Sequence, residues 1–330
     1  MNSSKILFKI ILFMSTLITM SSNNWIGMWM GLEMNLMTFI PLISKNKEKN
    51  SSQAMMIYFL TQSIGSIILL FSVLMNSLLI FNPFINDITT SLLMISLFIK
   101  LGAAPFHFWL PEMMSNLKWI EASILMTWQK IAPLIILNNL NSNNTLYISI
   151  ILSTLIGSIG GLNQTSLRKI LAYSSINHLG WMMMFMSMNN NWYKYLMIYS
   201  SMIITLCLFL NWNNIYFINQ MNSSSSSLAE KYIYVIMMLS IGGLPPFLGF
   251  LPKWMVIQSM IQSNIMLIMI IMMLFSLITL FYYLRMMSTL ILNYSTSNKW
   301  NHYKSPNKTL ILFILFINLM LPVFSIFNFF

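Results

Sequence analysis

The chain has 330 residues, of which 57% are hydrophobic and only 7% are charged, and its formal net charge is +11. A typical soluble domain has about 25% charged residues, so this composition excludes a soluble enzyme and predicts a polytopic membrane protein. We attribute the positive charge to loops on the non-translocated side of the membrane rather than to nucleic-acid binding. The single cysteine, Cys207, excludes an internal disulfide and an iron–sulfur cluster held by four thiolates of this chain.

Apolar runs recur along the chain at or near the roughly 17–25 residues that a membrane-spanning helix needs. In chain order they are residues 6–22, 25–43, 54–81, 88–105, 119–138, 145–162, 169–188, 192–212, 231–260, 263–287 and 309–329. The run 231–260 is too long for one ordinary span, and the sequence GGLPPFLGFLP interrupts it, so we count it as one discontinuous helix. We therefore predict an all-α, polytopic membrane protein with about eleven transmembrane helices in a single domain, 1–330.

A second proline-interrupted segment, LFIKLGAAPFHFWLPE, occupies residues 97–112. Two broken helices in separate parts of a transporter are a sequence pointer to its transport site. The prediction accordingly includes two discontinuous helices. Two polar connections, SKNKEKNSSQ at 44–53 and NQMNSSSSSLAEK at 219–231, are typical of flexible linkers.

The distribution of positive charge fits the count of eleven spans. All but four of the 17 lysines and arginines fall on one face, which holds the N-terminus and every second loop. Lys194 alone falls on the opposite face, and Lys100, Lys130 and Lys253 lie within apolar segments. The positive-inside rule then predicts that the N-terminus lies on the cytoplasmic or matrix side.

Four ionisable residues in the apolar segments are the candidate functional residues: Glu33, Lys100, Lys130 and Lys253. A charge at the bilayer centre costs about 2.5–3.5 kcal/mol on insertion scales, so such residues usually have a function. At a rise of ~1.5 Å per residue, Glu33 and Lys130 lie roughly 13 and 16 Å into their helices, near the membrane midplane. Lys100 lies about one turn before Pro105, where a break frees backbone carbonyls that can solvate an ammonium group, and Lys253 directly follows the break GGLPPFLGFLP.

Burial disfavours the charged form of a lysine, and a nearby carboxylate restores it. Glu33 near Lys100 would therefore form a switchable pair, in which separation of the two groups favours release of a proton from the lysine. Lys130 and Lys253 would continue a lateral relay at the midplane. In the alternative interpretation, each lysine is a satisfied ion-pair partner without a transport role.

Two histidines are further candidates. His178 lies within YSSINHLGW, where the neighbouring serines and asparagine could carry water and a proton; a histidine satisfied by a neighbouring helix is the alternative. His107 and Glu112 flank Pro111, and either a role at the loop face or a relay role fits them. We find no spacing of histidines that is typical of a zinc site and no nucleotide-binding motif.

Five sequence motifs resemble those of the NADH–ubiquinone oxidoreductase chain 2 family, the antiporter-like membrane subunits of mitochondrial respiratory complex I. They are GLEMN, KLGAAPFHFWLPE, TWQKIAPL, GLNQTSLRKILAYSSINHLGWM and GGLPPFLGFLPKW. The resemblance runs from about Trp25 to Trp254, and the remaining residues match only in hydropathy. It is to the shortened animal type and implies an antiporter-like fold.

The resemblance also implies roles for individual residues. Glu33 and Lys100 would be the coupling pair, Lys130 the central proton-relay lysine and Lys253 the lysine on the second broken helix. His178 would belong to the central hydrated axis. The implied function is proton translocation across the mitochondrial inner membrane, coupled to quinone reduction in other subunits.

The resemblance further implies that this chain binds no cofactor and no metal. NADH, FMN, iron–sulfur clusters and ubiquinone would be used by the rest of the complex. The implied partners are other complex I subunits, especially the neighbouring antiporter-like ones, together with inner-membrane lipid and protons. The alternatives are a stand-alone or multisubunit cation/proton antiporter, and a mainly structural membrane spacer with vestigial charges.

Overall fold

The computed structural model describes residues 3–44, 49–78, 83–140, 144–189, 191–224, 228–292 and 308–322. Within these ranges the chain forms fifteen α-helices, one 3-10 turn and no strand, apart from an isolated β-bridge between Ser166 and Phe217. The predicted all-α class is confirmed. A helix pairs its backbone groups internally, which is why so apolar a chain adopts this structure in lipid.

The helices are divided between two compact units, the first ending at Ser153 and the second beginning at Thr154. The first unit contains α1 Ser3–Ser21, α2 Trp25–Ser44, α3 Lys49–Leu78, α4 Pro83–Leu101, α5 Trp109–Asn116, α6 Trp119–Met126, the 3-10 turn Trp128–Lys130 and α7 Ile131–Asn138. Helix α8, Asn144–Ile159, contains the boundary. The second unit contains α9 Leu167–Asn189, α10 Trp192–Asn213, α11 Ile218–Ser224, α12 Leu228–Gly242, α13 Phe250–Gln262, α14 Met266–Leu292 and α15 Lys308–Asn318.

Six helical segments in the described residues are long and apolar enough to cross a bilayer. They are Ser3–Ser21, Trp25–Ser44, Lys49–Asn76, Trp119–Asn138, Trp192–Asn213 and Met266–Ser288. Large apolar side chains on these segments point outward, as Leu267 does with 70% of its surface exposed. Such side chains suit a lipid environment. The count of eleven spans stays a prediction.

The predicted span 119–138 is not one regular helix. Helix α6 ends at Met126, the 3-10 turn follows, and α7 begins at Ile131. Pro133 supplies the physical reason, because a proline lacks the backbone N–H and its ring clashes with the carbonyl four residues earlier, here that of Gln129. Lys130 therefore lies at an interruption that the apolar pattern did not reveal.

Some of the sequence predictions concern residues outside the described ranges. The linkers at 44–53 and 219–231 and the spans at 54–81 and 309–329 each extend beyond them. Four of the residues counted on the positively charged face, Lys45, Lys47, Lys299 and Lys304, also lie outside.

Candidate functional site

Lys100 lies in the last turn of α4 and is buried, with 6% of its surface exposed. Its side chain passes against Gly65 of α3, where an added Cβ atom would lie 3.1 Å from Cγ of Lys100. That separation is tighter than nine in ten natural Cβ contacts. The absence of a side chain at Gly65 therefore makes room for the lysine.

The chain leaves the helical conformation after Leu101, and Gly102 adopts a left-handed φ of +69° before α5 begins at Trp109. We expected carbonyls near this point to solvate the Lys100 ammonium group. Two of these carbonyls accept hydrogen bonds from other side chains: Nε1 of Trp109 donates to the carbonyl of Ile99 at 3.0 Å, and Nε2 of Gln62 donates to that of Lys100 at 3.3 Å. Solvation of the Lys100 ammonium group by the break stays a prediction.

Lys130 ends the 3-10 turn and is 2% exposed. It lines the same small cavity as Lys100, a space of about 20 Å³. About 10–15 Å³ of such volume is enough to hold one water molecule. The other lining residues are Leu32, Asn35, Tyr58, Gln62, Leu101, Trp109, Leu110, Leu125, Gln129 and Pro133. The fold thus brings two of the predicted lysines to one small, partly polar space.

Gln129 connects three elements at this cavity. Its Nε2 atom donates to Oδ1 of Asn35 at 2.9 Å, and its Oε1 atom accepts from the hydroxyl of Tyr58 at 3.3 Å. Asn35 is on α2 and Tyr58 is on α3, so the amide side chain next to Lys130 is held at both ends. A glutamine held in this way presents a fixed acceptor and a fixed donor beside the lysines.

Sequence analysis did not select Asn35, Tyr58, Gln62 or Gln129. A single neutral polar residue within an apolar run is compatible with any membrane-spanning helix, so it carries little weight alone. Closeness in sequence to a charged residue could have indicated two of them, since Asn35 lies two residues after Glu33 and Gln129 directly precedes Lys130.

Glu33 lies on α2 and does not line the cavity. Its Oε1 atom is buried and has no hydrogen-bond partner among the described residues. Glu33 lies two residues before Asn35, which does line the cavity. The pairing of Glu33 with Lys100 stays a prediction.

In the second unit, Lys253 lies in the first turn of α13 and is 6% exposed. Its Nζ atom donates a 2.7 Å hydrogen bond to the carbonyl of Gly242, the last residue of α12. The C-terminal end of a helix carries partial negative charge, so the ammonium group is stabilised there. Lys253 therefore has a helix-end carbonyl as its partner.

His178 lies on α9 and is buried. Its Nδ1 atom is 2.8 Å from the hydroxyl of Tyr195 on α10, and the ring of Tyr199 packs over the imidazole with 4.8 Å between ring centres. The neighbouring Ser174 and Ser175 donate hydrogen bonds to carbonyls of their own helix. His178 thus has a partner on the adjacent helix, and it stays a candidate for proton transfer.

The remaining candidates are not part of these arrangements. The Nδ1 atom of His107 is 3.1 Å from the carbonyl of Pro105, within the connection between α4 and α5. Glu112 is exposed on α5. In the part of the chain that the structure describes, no three His, Cys, Asp or Glu side chains are grouped so that they could hold a metal ion. The groups at these sites that can gain or lose a proton are lysine and histidine side chains.

Comparison with known proteins identifies the family to which this chain is similar. The family model described as "NADH:quinone oxidoreductase/Mrp antiporter, TM" matches residues 22–279. NADH-ubiquinone oxidoreductase chain 2 of Anopheles gambiae is 46% identical over 327 residues, which cover 95% of this chain and 94% of the relative. The chain 2 proteins of Aedes aegypti, with 47% identity over 95% of this chain and 94% of the relative, and of Oryctolagus cuniculus, with 37% over 96% of both, are also similar.

Solved structures share the fold at lower sequence identity. A chain of respiratory complex I from Thermus thermophilus superimposes with a TM-score of 0.85 and 19% identity over 98% of this chain and 79% of that one. A chain of the Mrp complex from Dietzia superimposes with a TM-score of 0.70 and 15% identity over 84% of this chain and 59% of that one. Since the chain 2 proteins match over almost their whole length at well above 30% identity, the chain belongs to the NADH-ubiquinone oxidoreductase chain 2 family.

Proposed function

We propose that the chain translocates protons across the mitochondrial inner membrane as a core membrane subunit of NADH:ubiquinone oxidoreductase. The chain 2 relatives support the assignment to this enzyme. In this proposal NADH, FMN, iron–sulfur clusters and ubiquinone are used by other subunits, and quinone reduction there drives proton movement here. The buried lysines of this chain supply the path.

The observation that carries the proposal is the cavity shared by Lys100 and Lys130. In each transfer one lysine changes from ammonium to amine while the other changes from amine to ammonium, so the charge in the cavity is conserved. The space suits one bridging water molecule, and the amide of Gln129 offers a donor and an acceptor beside it. Buried ionisable groups in membrane segments are functional by default.

Glu33 regulates the direction of transfer in this proposal. A carboxylate that approaches Lys100 favours its ammonium form, and a carboxylate that withdraws favours donation of the proton. Its support is the buried Oε1 atom of Glu33 on α2, the helix that also supplies Leu32 and Asn35 to the cavity. We propose that Lys253 and His178 continue the path in the second unit.

The proposal includes a membrane arrangement. The chain crosses the membrane in eleven spans, two of them discontinuous, and its N-terminus lies on the matrix side. The excess of lysine and arginine on one face supports the orientation. Its partners are the neighbouring antiporter-like subunits of the complex and the surrounding lipid.

Replacing Lys130 tests the proposed function. Lys130→Met keeps the length of the side chain and removes the exchangeable proton, so NADH:quinone turnover and proton pumping should both fall by at least about tenfold. Oxidation of NADH by an artificial acceptor should not change, since that reaction does not require proton movement. The matched control is Lys118→Met, because Lys118 is exposed. A normally assembled Lys130→Met complex with wild-type pumping would contradict the proposal and favour a structural spacer.

A stand-alone cation/proton antiporter is not favoured, because the relatives that match this chain over nearly its whole length are chain 2 proteins. A native gel of solubilised membranes distinguishes the two. Co-migration of this chain with the NADH dehydrogenase activity agrees with the complex. Separate migration, together with cation/proton exchange by the purified chain in vesicles, would favour the antiporter.

A further inference from the structure

We propose that Tyr195 is a positioning residue for His178, and that its hydroxyl group keeps a hydrogen bond to Nδ1 in both the neutral and the protonated forms of the imidazole. The inference rests on the proposed role of His178 in the proton path. It goes further by assigning a residue that makes the histidine able to gain and lose a proton while buried.

The two groups face each other in the interior of the second unit. The hydroxyl oxygen of Tyr195 is 2.8 Å from Nδ1 of His178, a normal hydrogen-bond length. Tyr195 is 0% exposed and His178 is 2% exposed, so bulk water does not compete for the bond. The bond joins α9 to α10.

A hydroxyl group suits this position because it both donates and accepts. When Nδ1 carries no proton, the hydroxyl of Tyr195 donates to it. When the imidazole takes up a proton and Nδ1 becomes N–H, the hydroxyl rotates about its C–O bond and accepts. The tyrosine keeps its own proton throughout, and the transferred proton is gained and lost by His178.

Tyr199, on the same helix as Tyr195, also contacts the imidazole of His178. It lies one helical turn after Tyr195 on α10, so both side chains project from one face of that helix. Its ring centre is 4.8 Å from that of His178, with the planes inclined by 41°. A ring at this distance is in packing contact with the imidazole and restricts its rotation.

A second buried tyrosine, Tyr234, forms a hydrogen bond whose direction of donation does not change. The hydroxyl of Tyr234 accepts from Nδ2 of Asn213 at 2.8 Å, and Tyr234 is also 0% exposed. An amide N–H₂ group can only donate, so this bond has one direction. Tyr234 therefore matches Tyr195 in burial and bond length but has a partner that does not titrate.

Four complexes test the inference: Tyr195→Phe, His178→Gln, the double variant, and Tyr234→Phe as the control. Measurements are protons pumped per NADH, coupled quinone turnover, and NADH oxidation with an artificial acceptor. We expect Tyr195→Phe to lower coupled turnover about fivefold or more, because it leaves a buried nitrogen without this partner. The double variant should match His178→Gln alone, and Tyr234→Phe should stay within about twofold of wild type.

The outcomes separate this inference from the proposed function. An impaired His178→Gln with a normal Tyr195→Phe overturns the inference and leaves the proton path intact. A normal His178→Gln instead removes His178 from the path, and the inference with it. Additive losses in the double variant, or an equal loss in Tyr234→Phe, mean that Tyr195 acts through packing and also overturn it.

If Tyr195→Phe does not assemble, a second pair of variants tests whether the hydrogen bond to His178 is needed. The glutamine of Tyr195→Gln can donate or accept a hydrogen bond. The methionine of Tyr195→Met is similar in length to glutamine but can do neither effectively. Higher coupled turnover in the glutamine variant supports the inference. Equal turnover in the two variants overturns it.

Discussion

The ammonium nitrogen of Lys253 donates a 2.7 Å hydrogen bond to the carbonyl of Gly242, so the first turn of α13 supplies a cation to the end of α12. Gly243, the next residue, adopts a φ of +82°, and an added Cβ atom there would lie 2.8 Å from the same nitrogen. The glycine meets two requirements together: a backbone conformation that other residues rarely adopt, and space for the lysine.

Replacement of Gly243 by alanine should displace Lys253. The added methyl group would lie too close to the end of the lysine side chain, and the left-handed conformation is unfavourable by roughly 1–2 kcal/mol for alanine. We expect coupled NADH:quinone turnover to fall several-fold. The control is Gly242→Ala, since a Cβ atom at Gly242 meets its nearest neighbour at an ordinary 3.6 Å. Equal activity of the two variants would argue against a tight fit at Lys253.

Gln129→Met should weaken proton exchange between Lys100 and Lys130. The change keeps the side-chain length and removes the bonds to Asn35 and Tyr58. Unpaired buried polar groups cost about 1–3 kcal/mol, so we expect lower thermal stability as well as lower coupled turnover. Pumping and the melting temperature of the complex are the measurements. Gln53→Met, on the exposed surface of α3, should change neither quantity.

Glu33→Gln should have a milder effect than Lys130→Met. The amide has the shape of the carboxylate, but it removes the negative charge that we propose acts on Lys100, and it leaves the proton carrier in place. We expect coupled turnover to fall by a smaller factor than in Lys130→Met, with normal assembly. Glu112→Gln removes an exposed carboxylate and serves as the control. The opposite order, with Glu33→Gln the more severe change, would count against Glu33 as a modulator.

Pro133→Ala should straighten the segment that carries Lys130. Alanine restores the N–H that can bond to the carbonyl of Gln129, so the 3-10 turn can become regular helix. We expect a gain in stability and a loss of coupled turnover, because the lysine is rotated relative to the cavity. Pro111→Ala is the control, since Pro111 lies in the first turn of α5, where a proline fits. Unchanged turnover in Pro133→Ala would show that the interruption has no role in transfer.

Several features of this protein could be predicted without its structure. The apolar composition requires helices in lipid, because only a helix or a closed barrel pairs its backbone groups there. Lys100, Lys130, Lys253 and Glu33 could be selected because a charge in such a segment is energetically costly and thus conspicuous. The helix ends near Lys100 and Lys253 were indicated by nearby proline and glycine.

Other features depend on contacts between distant parts of the chain. Gln129 bonds to residues that lie 71 and 94 positions away, and neutral amides within apolar runs do not stand out. The partner of His178 on α10 was equally hidden, since an apolar run with a few tyrosines is compatible with any packed helix.

The sequence by itself determined that this is an all-helical membrane protein with ionisable groups in its interior, because composition and charge act along the whole chain and need no knowledge of contacts. Only the tertiary structure decided that Lys100 and Lys130 share a cavity, that Lys253 binds a helix end and that Tyr195 faces His178. Hydrogen bonds depend on distances of a few ångströms between atoms of different helices, and those distances arise only when the helices pack.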